Sequence, residues 1–329
     1  MGAHHELYDA GTCLLHSEFG VEGMANRRIW DAVVPSGAHW PTGRGNPVME
    51  HLGAWWNNTP LVQETFGGRL KDVDSVRRAS QQLQYDGLRY AVEANLRRAP
   101  RSSGTIPWQF NEPFPNAWCT ASVDHRGDPK PAYHGVRRAY RPAHVCAAFA
   151  TQAWAGRTRF EATVHAWRRD ARPGDVTVAR IVALDGTVVH ESRTGTVSLP
   201  TAGLPGPLFL LDLQLMADDG RLVAGNRYVH STGEDLSGHL DLPTAQVDAA
   251  WSPDRASLRL THVGGPAALG LHVTDARPID ADGWAVFGDN MLDLLPGESL
   301  EVPVTWRDAP VEGRAVLLEG WNTDARVLD

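Results

Sequence analysis

The first 142 residues alternate between short apolar runs and a segment whose apolar positions recur with helical spacing. Residues 12–19 and 104–110 are apolar and then end abruptly in polar side chains, which is typical of buried parallel strands that deliver residues to loops. Residues 72–98 have apolar positions at three- and four-residue spacing, with acidic residues at the start and basic residues at the end, and therefore predict a helix. This order predicts a parallel α/β architecture with chemistry at the carboxyl ends of the strands.

Two further segments complete this part of the chain. Residues 31–70 are rich in Pro, Gly, Asn and Trp without a sustained period, which predicts a long loop that holds at most a short helix. A final helix is predicted over residues 131–140, because Pro142 cannot continue it.

After residue 142 the pattern becomes that of β-strands. Asp-Gly pairs at 185–186 and 219–220 lie between apolar runs and predict hairpins. Two series of strands are predicted, at 160–167, 176–184, 187–191, 208–216 and 221–230, and then at 246–251, 257–262, 269–274, 283–287, 299–306 and 314–321. The polar stretch 233–243 separates the two series, so we expect two β-sandwiches, over residues 143–236 and 237–329.

Composition narrows the class of protein. The chain has 329 residues, 42% of them hydrophobic and 21% charged, which predicts two or three soluble domains and excludes a disordered chain or a membrane protein. The net charge of −8 argues against a surface for nucleic acid. Residues 1–142 hold 16 basic and 14 acidic side chains, whereas residues 143–329 hold 15 and 25, so charge divides the chain where the strand pattern begins.

Cysteine and tryptophan usage adds less. Cys13, Cys119 and Cys146 are too few and too scattered for a disulfide framework or a zinc site, so we expect buried thiols and predict neither a metal nor a cofactor. The twelve tryptophans suit a carbohydrate site, where indole rings stack on sugars, but they equally suit apolar cores. No signal peptide is predicted at the start of the chain, and the cellular location stays open.

The two predicted strand ends carry the candidate chemistry. Glu18 precedes Gly20 at the first strand end, where a carboxylate can attack or stabilise a cationic sugar centre, although a surface glutamate is the more ordinary explanation. His16 beside it could orient this carboxylate or be satisfied structurally. At the second strand end, Trp108 could stack on a sugar or pack inside a barrel, and Asn111 could bond a sugar hydroxyl.

Several motifs, in order along the chain, resemble glycoside hydrolase family 2, in its β-mannosidase and exo-β-glucosaminidase branch. In the first part they are residues 17–20 (Ser-Glu-Phe-Gly), 80–90 (Ser-Gln-Gln-Leu-Gln-Tyr-Asp-Gly-Leu-Arg-Tyr), 104–112 (Gly-Thr-Ile-Pro-Trp-Gln-Phe-Asn-Glu), 123–124 and 130–134. In the second part they are residues 209–213, 226–228, 289–290 and 293–298, which are similar to the two immunoglobulin-like domains that follow the catalytic barrel in that branch.

The resemblance implies a role for each candidate residue. Glu18 matches the nucleophile of a Ser-Glu-Phe/Tyr-Gly motif at the end of barrel strand seven, and residues 104–112 match strand eight. Trp108 then becomes a wall of the subsite for the cleaved sugar, and Asn111 a further contact. The implied protein is a retaining, exo-acting β-glycosidase of the β-mannosidase type, with a β-linked mannoside or glucosaminide as its substrate.

The sequence also departs from the family pattern. The family has Asp where this chain has Glu112. The family's general acid/base is a Glu preceded by Asn at the end of strand four, and Asn111-Glu112 imitates this dipeptide but lies in the strand-eight segment. We therefore do not expect Glu112 to be the acid/base, so one of the two carboxyl groups of a retaining mechanism has no candidate in this chain.

These matches lead to one expectation and two alternatives. We expect the C-terminal part of a (β/α)8 TIM barrel over residues 1–142, then two immunoglobulin-like β-sandwiches, in a chain that is a truncated enzyme and inactive alone. A second chain could supply the missing barrel half and cover its apolar strands and unpaired edges. Alternatively, the chain is a noncatalytic carbohydrate-binding or scaffolding protein with a vestigial barrel segment, or a fragment without an independent role.

Overall fold

The computed structural model describes residues 3–50, 53, 56–170 and 172–329. Residues 51, 52, 54 and 55, which belong to the predicted 31–70 loop, lie outside the described residues. The α-helices are α1 (Ala3–Asp9), α2 (Arg27–Val33), α3 (Thr59–Thr65), α4 (Val73–Arg97) and α5 (Pro131–Ala139). The helices predicted at 72–98 and 131–140 are thus confirmed, and the 31–70 segment contains more helix than expected because α2 enters it and α3 lies within it.

The β-strands are short before residue 142 and longer after it. The first part has β1 (Leu15–His16), β2 (Gly23–Met24), β3 (Gly104–Thr105) and β4 (Trp118–Cys119). Then follow β5 (Ala143–Ala148), β6 (Arg159–Arg168), β7 (Val176–Ala183), β8 (Val188–Ser192), β9 (Thr196–Pro200), β10 (Leu208–Met216) and β11 (Leu222–Ser231). The last group is β12 (Gln246–Trp251), β13 (Ser257–Gly264), β14 (Ala268–Asp275), β15 (Trp284–Phe287), β16 (Leu292–Leu294), β17 (Ser299–Arg307), β18 (Val316–Glu319) and β19 (Arg326–Leu328).

Strands β1 and β3 form a parallel pair, as the sequence predicted, but each is shorter than its apolar run. Leu15 pairs with Gly104 and His16 with Thr105. One face of the pair lies against the helices, where Phe19 packs with Leu88 of α4 and with α5. The other face is uncovered: the side chains of Leu15 and Ile106 are 52% and 55% exposed.

Helix α4 is buried on almost every side. It begins with a capping box in which the side chain of Asp72 accepts a hydrogen bond from the backbone N–H of Ser75. Twenty of its 25 residues are buried, including the glutamines, the arginine and the acids of residues 80–93. A helix with this polar composition would expose one face if only the α/β part packed on it, so its burial means that the β-sheet regions pack on it as well.

The first β-sandwich joins a three-stranded sheet in the order β5-β6-β9 to a four-stranded sheet in the order β11-β10-β7-β8. Both sheets contribute to one apolar core, in which Phe160 and Val197 of the smaller sheet meet Phe209 and Ile181 of the larger one. The Asp-Gly hairpin at 185–186 is confirmed, because β7 and β8 pair antiparallel and Gly186 takes the positive φ of 90° that the turn requires.

The second β-sandwich pairs two four-stranded sheets, in the orders β12-β13-β17-β15 and β16-β14-β18-β19. Its core is formed from both sheets, for example by Leu260 and Val302 on one side and Leu271 and Val316 on the other. The architecture is therefore mostly β-sheet, with its helices concentrated before residue 142. The domain limits at 142/143 and 236/237 stay predictions.

The three regions are tied together by buried contacts. Arg89 of α4 donates to the side chain of Asn226 in the first sandwich, and Arg77 of α4 pairs with Glu319 in the second.

The prediction that the cysteines are buried is correct for Cys119 and Cys146 and wrong for Cys13, which is exposed because it precedes the uncovered strand β1. Within the part of the chain that the structure describes, no helix has both the length and the apolar character of a membrane span.

Candidate functional site

Glu18 and Trp108 lie at the same end of the adjacent parallel strands β1 and β3. Beyond the paired residues, the backbone N–H of Ile106 donates to the carbonyl of His16 over 2.9 Å, and that of Trp108 donates to the carbonyl of Phe19 over 2.8 Å. Glu18 is thus placed between two backbone links to the segment that carries Trp108. Both residues are exposed, Trp108 by 44%.

Glu18 is free of competing contacts. Its carboxylate has no hydrogen bond or ion pair with any residue that the structure describes. His16 does not orient it, because the imidazole lies 3.2 Å from the side-chain amide of Asn95 in α4 and packs on the ring of Phe19. The alternative in which His16 is satisfied structurally is therefore the one that the geometry favours.

Gly20 brings the segment after Glu18 directly against the second strand end. A Cβ atom at this position would lie 2.8 Å from the carbonyl oxygen of Trp108 and 3.0 Å from the methyl carbon of Thr120. Contacts this short to backbone do not occur for real Cβ atoms, so only glycine fits without a shift. The two strand ends are therefore in contact through their backbones.

Asn111 lies beyond Trp108 on the same segment, after the cis peptide bond between Trp108 and Gln109. Its side chain is exposed, and its amide makes a long contact of 3.4 Å with the carbonyl oxygen of Glu112. Phe110, which lies between Trp108 and Asn111 in the sequence, is 66% exposed and approaches the ring of Tyr133. The structure therefore places Glu18, Trp108 and Asn111 at one end of the α/β part, with both Asn111 and Phe110 open to solvent.

Glu112, in contrast, points into the protein. Its side chain is 5% exposed and accepts hydrogen bonds from Asn116 at 3.0 Å and from the thiol of Cys119. Burial, with the nearby Glu112 carboxylate, raises the pKa of Cys119 to about 12 against the opposing charge of Lys130, so the thiol is protonated and can donate. A buried carboxylate that is occupied by these donors is not available to a substrate.

Sequence reasoning overlooked three residues next to this end. Glu22 is a half-buried carboxylate four residues after Glu18, and burial raises its pKa although its own backbone N–H and Lys130 act in the opposite direction. Gln84 of α4 and Lys130 are fully buried and donate to carbonyl oxygens of the loops behind the site. Both lie in motifs that the family resemblance picked out, but no local pattern indicates which loops they contact.

The next question is whether the described side chains at this end could bind a metal ion. Among the described residues, no group of three or more His, Cys, Asp or Glu side chains is arranged to hold a metal ion. The chemistry that the strand ends offer is instead that of an exposed carboxylate beside an exposed indole.

Comparison with known proteins gives one sequence relative and several structural ones. No family model matches the chain. An exo-β-D-glucosaminidase of Streptomyces avermitilis is 27% identical in an alignment 315 residues long, which covers 78% of this chain and 33% of that protein. The chain thus spans about a third of the length of the curated relative that it matches.

The solved structures agree in fold. An exo-chitosanase of Amycolatopsis orientalis matches 99% of this chain and 44% of its own, with a TM-score of 0.74 and 18% identity. A β-D-mannosidase of Dictyoglomus thermophilum matches 97% of this chain and 39% of its own, with a TM-score of 0.71 and 19% identity. The resemblance of this chain to the C-terminal portion of glycoside hydrolase family 2 enzymes, in the exo-β-glucosaminidase and β-mannosidase branch, is thereby confirmed.

Proposed function

We propose that this chain contributes the nucleophile and the two immunoglobulin-like sandwiches of a retaining exo-β-glycosidase that acts on β-linked mannosides or glucosaminides. In this proposal residues 1–142 are the last two strands of a (β/α)8 barrel with their helices, and residues 143–236 and 237–329 are the sandwich domains. The observation that carries it is the placement of exposed Glu18 and exposed Trp108 at one end of two adjacent parallel strands.

The chemistry assigned to each residue follows from this placement. The Glu18 carboxylate attacks the anomeric carbon and forms a glycosyl ester while the leaving oxygen departs with a proton. Trp108 offers its indole face to the sugar ring, and Asn111 offers its amide to a hydroxyl. The proton must come from a second carboxyl group about 5 to 5.5 Å from the first.

This second carboxyl group has no candidate among the described residues, so we do not expect the chain to be an independent catalyst. Glu112 is buried and occupied, and a barrel needs eight strands where β1 and β3 are two. We therefore propose that the remaining strands and the acid/base come from polypeptide outside this sequence, on the same chain or on another one. They would also cover the apolar face formed by Leu15 and Ile106.

An activated substrate separates the two carboxyl roles. Fluoride leaves without a proton donor, so a 5-fluoro-β-glycosyl fluoride of mannose or glucosamine needs only the nucleophile. We expect the protein to gain one glycosyl group, mapped to Glu18 by peptide mass spectrometry, and Glu18→Gln to gain none. Glu22→Gln, which removes a neighbouring carboxylate, should be labelled like the wild type. If neither sugar labels Glu18, or if Glu18→Gln is labelled equally, Glu18 is not the nucleophile.

Ordinary substrates give the complementary result. We expect no significant hydrolysis of nitrophenyl β-mannoside or β-glucosaminide by this chain alone. Turnover that is abolished by Glu18→Gln would show that the acid/base is present after all and would overturn the proposed dependence on other polypeptide.

The noncatalytic alternative has less support from the sandwiches. Carbohydrate-binding surfaces present exposed aromatic rings. Among the described tryptophans after residue 142, Trp284 alone is exposed, by 42%, whereas Trp154 is fully buried and the others are partly covered. Binding of β-mannan or chitosan oligosaccharides by Glu18→Gln that is lost in Trp284→Ala and kept in Trp108→Ala would favour this alternative.

A further inference from the structure

The segments that follow the two strand ends lie side by side behind Glu18 and Trp108. Residues 20–24 continue from Glu18, and residues 117–121 return after the loop that carries Trp108 and Asn111. They pair antiparallel over two positions, Gly23 with Cys119 and Met24 with Trp118. So short a ladder leaves several backbone carbonyls in this buried region without a backbone donor, and each needs a partner.

Gln84 supplies donors to both segments at once. Its side-chain amide nitrogen lies 2.9 Å from the carbonyl oxygen of Val21 and 3.1 and 3.2 Å from those of Thr120 and Ala121. The side chain is fully buried and sits so close to the first segment that a Cβ atom on Gly23 would lie 2.6 Å from its amide oxygen. The amide therefore links the segment after Glu18 to the segment after Trp108.

Lys130 makes a second link of the same kind. Its ammonium nitrogen lies 3.1 Å from the carbonyl oxygen of Gly23 and 3.2 Å from that of Cys119, which is one carbonyl from each segment. The side chain is 2% exposed, and burial lowers the pKa of Lys130 while Cys119, Glu112 and other acids nearby act in the opposite direction. The buried carboxylate of Glu112 thus has a role beside this cation, and it belongs to the loop that carries Trp108.

We propose that Gln84 and Lys130 are positioning residues that fix the backbone of Glu18 relative to that of Trp108. Neither side chain is exposed to a substrate. They act through the two segments, which they hold together where the barrel strands themselves provide only a two-residue parallel ladder. The geometric claim stands on these contacts, and its importance for a sugar substrate rests on the function proposed above.

Hydrogen exchange of the full chain, measured by mass spectrometry, tests the geometric claim. Gln84→Met keeps the length of the side chain and removes its donors. We expect peptides covering 20–24 and 117–122 to exchange about tenfold faster or more, because carbonyls that lose a buried donor favour local opening by at least that factor. Peptides from the core strand β10 serve as the internal reference for global opening.

Gln82→Met is the matched control. Gln82 is also a buried glutamine of α4, but it donates to Asp86 over 2.6 Å and accepts from the indole of Trp321 over 3.3 Å, away from the two segments. Gln82→Met should destabilise the junction with the second sandwich and leave hydrogen exchange in the peptide covering 20–24 unchanged. Equal effects of the two variants on that peptide, or no effect of Gln84→Met, would refute the proposal.

Three further variants keep the test decisive. If Gln84→Met does not fold, Gln84→Asn retains the amide but withdraws it by one methylene, and the same local acceleration is expected. Lys130→Met should accelerate exchange in both peptides, and Lys130→Arg should restore at least part of the protection because a guanidinium can donate to two carbonyls. Failure of the arginine variant to exceed methionine would refute the assignment for Lys130.

The labelling of Glu18 connects the geometry to the site. We expect Gln84→Met to slow labelling by the activated glycosyl fluoride tenfold or more, and Gln82→Met to leave the rate unchanged. If exchange responds as predicted but wild-type Glu18 is never labelled, the positioning role stands and the nucleophile proposal fails. If wild-type Glu18 is labelled and Gln84→Met does not alter the rate of labelling, the proposed effect of Gln84 and Lys130 on the site is refuted instead.

Discussion

The ion pair between Arg77 and Glu319 joins α4 to the second sandwich, and Glu319→Gln tests how much it stabilises the protein. The Arg77 guanidinium nitrogens lie 2.7 and 2.6 Å from the two carboxylate oxygens of Glu319, and the side chains are only 2% and 5% exposed. Burial by itself disfavours the charged carboxylate. The charge and hydrogen bonds of Arg77, with His272 and Arg78, outweigh it and lower the pKa of Glu319 to about 2.

The magnitude follows from this pKa. A fall from 4.5 to about 2 corresponds to about 3 kcal/mol of stability at neutral pH, at ~1.4 kcal/mol for each pH unit. Because the folded-state pKa is lowered, this stability is complete above pH 4.5 and is lost as the pH falls towards 2. Roughly 2 kcal/mol of it should be gone by pH 3.

Urea denaturation of wild type and variant at pH 7 and at pH 3 measures the effect. Glu319→Gln should lower the free energy of unfolding by about 3 to 4 kcal/mol at pH 7, because it leaves the buried Arg77 charge with only a 3.3 Å contact to the exposed carboxylate of Asp74. The difference should narrow by about 2 kcal/mol at pH 3, because Glu319 is by then largely protonated in the unfolded wild type although it stays mostly ionised in the folded protein. A difference that stays constant with pH, or a variant as stable as the wild type at pH 7, would refute this reasoning. Glu191→Gln, at an exposed ion pair with Arg180, is the control and should change little.

Three more predictions concern packing. Phe209→Ala empties a fully buried position in the first sandwich and should cost about 3 to 5 kcal/mol in thermal or chemical unfolding, whereas Leu222→Ala, at a position 54% exposed, should cost far less. Gly20→Ala forces a Cβ to 2.8 Å from the Trp108 carbonyl and should cost about 1 to 3 kcal/mol and slow the labelling of Glu18, whereas Gly37→Ala, with open space around it, should do neither. Limited proteolysis should cut residues 1–142 before residues 143–329, since the uncovered strands lie in the former; preferential loss of 150–329 would contradict this order of stability.

The sequence predicted local structure well and long-range burial poorly. Strand β10 has the bounds predicted for it, because its apolar run, interrupted only by Asp212 and Gln214, is typical of a strand inside a sheet. The strands predicted at 12–19 and 104–110 are regular over only two residues each, since a parallel strand without further neighbours has few partners to extend its ladder. The parallel pairing and the shared end for Glu18 and Trp108 followed from the strand–helix–strand order.

The burial of the polar side of α4 could not be predicted from the sequence. Val76, Leu83, Leu88 and Val92 define an apolar face, and the bounds of the helix followed from them. Nothing local shows that Arg89 is buried as well, because its partners Asn226 and Arg227 lie 137 and 138 residues away. The contacts of Gln84 and Lys130 escaped prediction for the same reason.

The burial of α4 also determines how late in synthesis the helix can reach its final packing. Arg77 precedes its partner Glu319 by 242 residues. At about 5 to 20 residues per second, that separation corresponds to about 10 to 50 seconds on the ribosome. During this time α4 is completed and Arg77 can pair with Asp74 of the same helix, but the strand that carries Glu319 does not yet exist. The α/β part of this protein therefore cannot reach its final packing until the second sandwich has been synthesised.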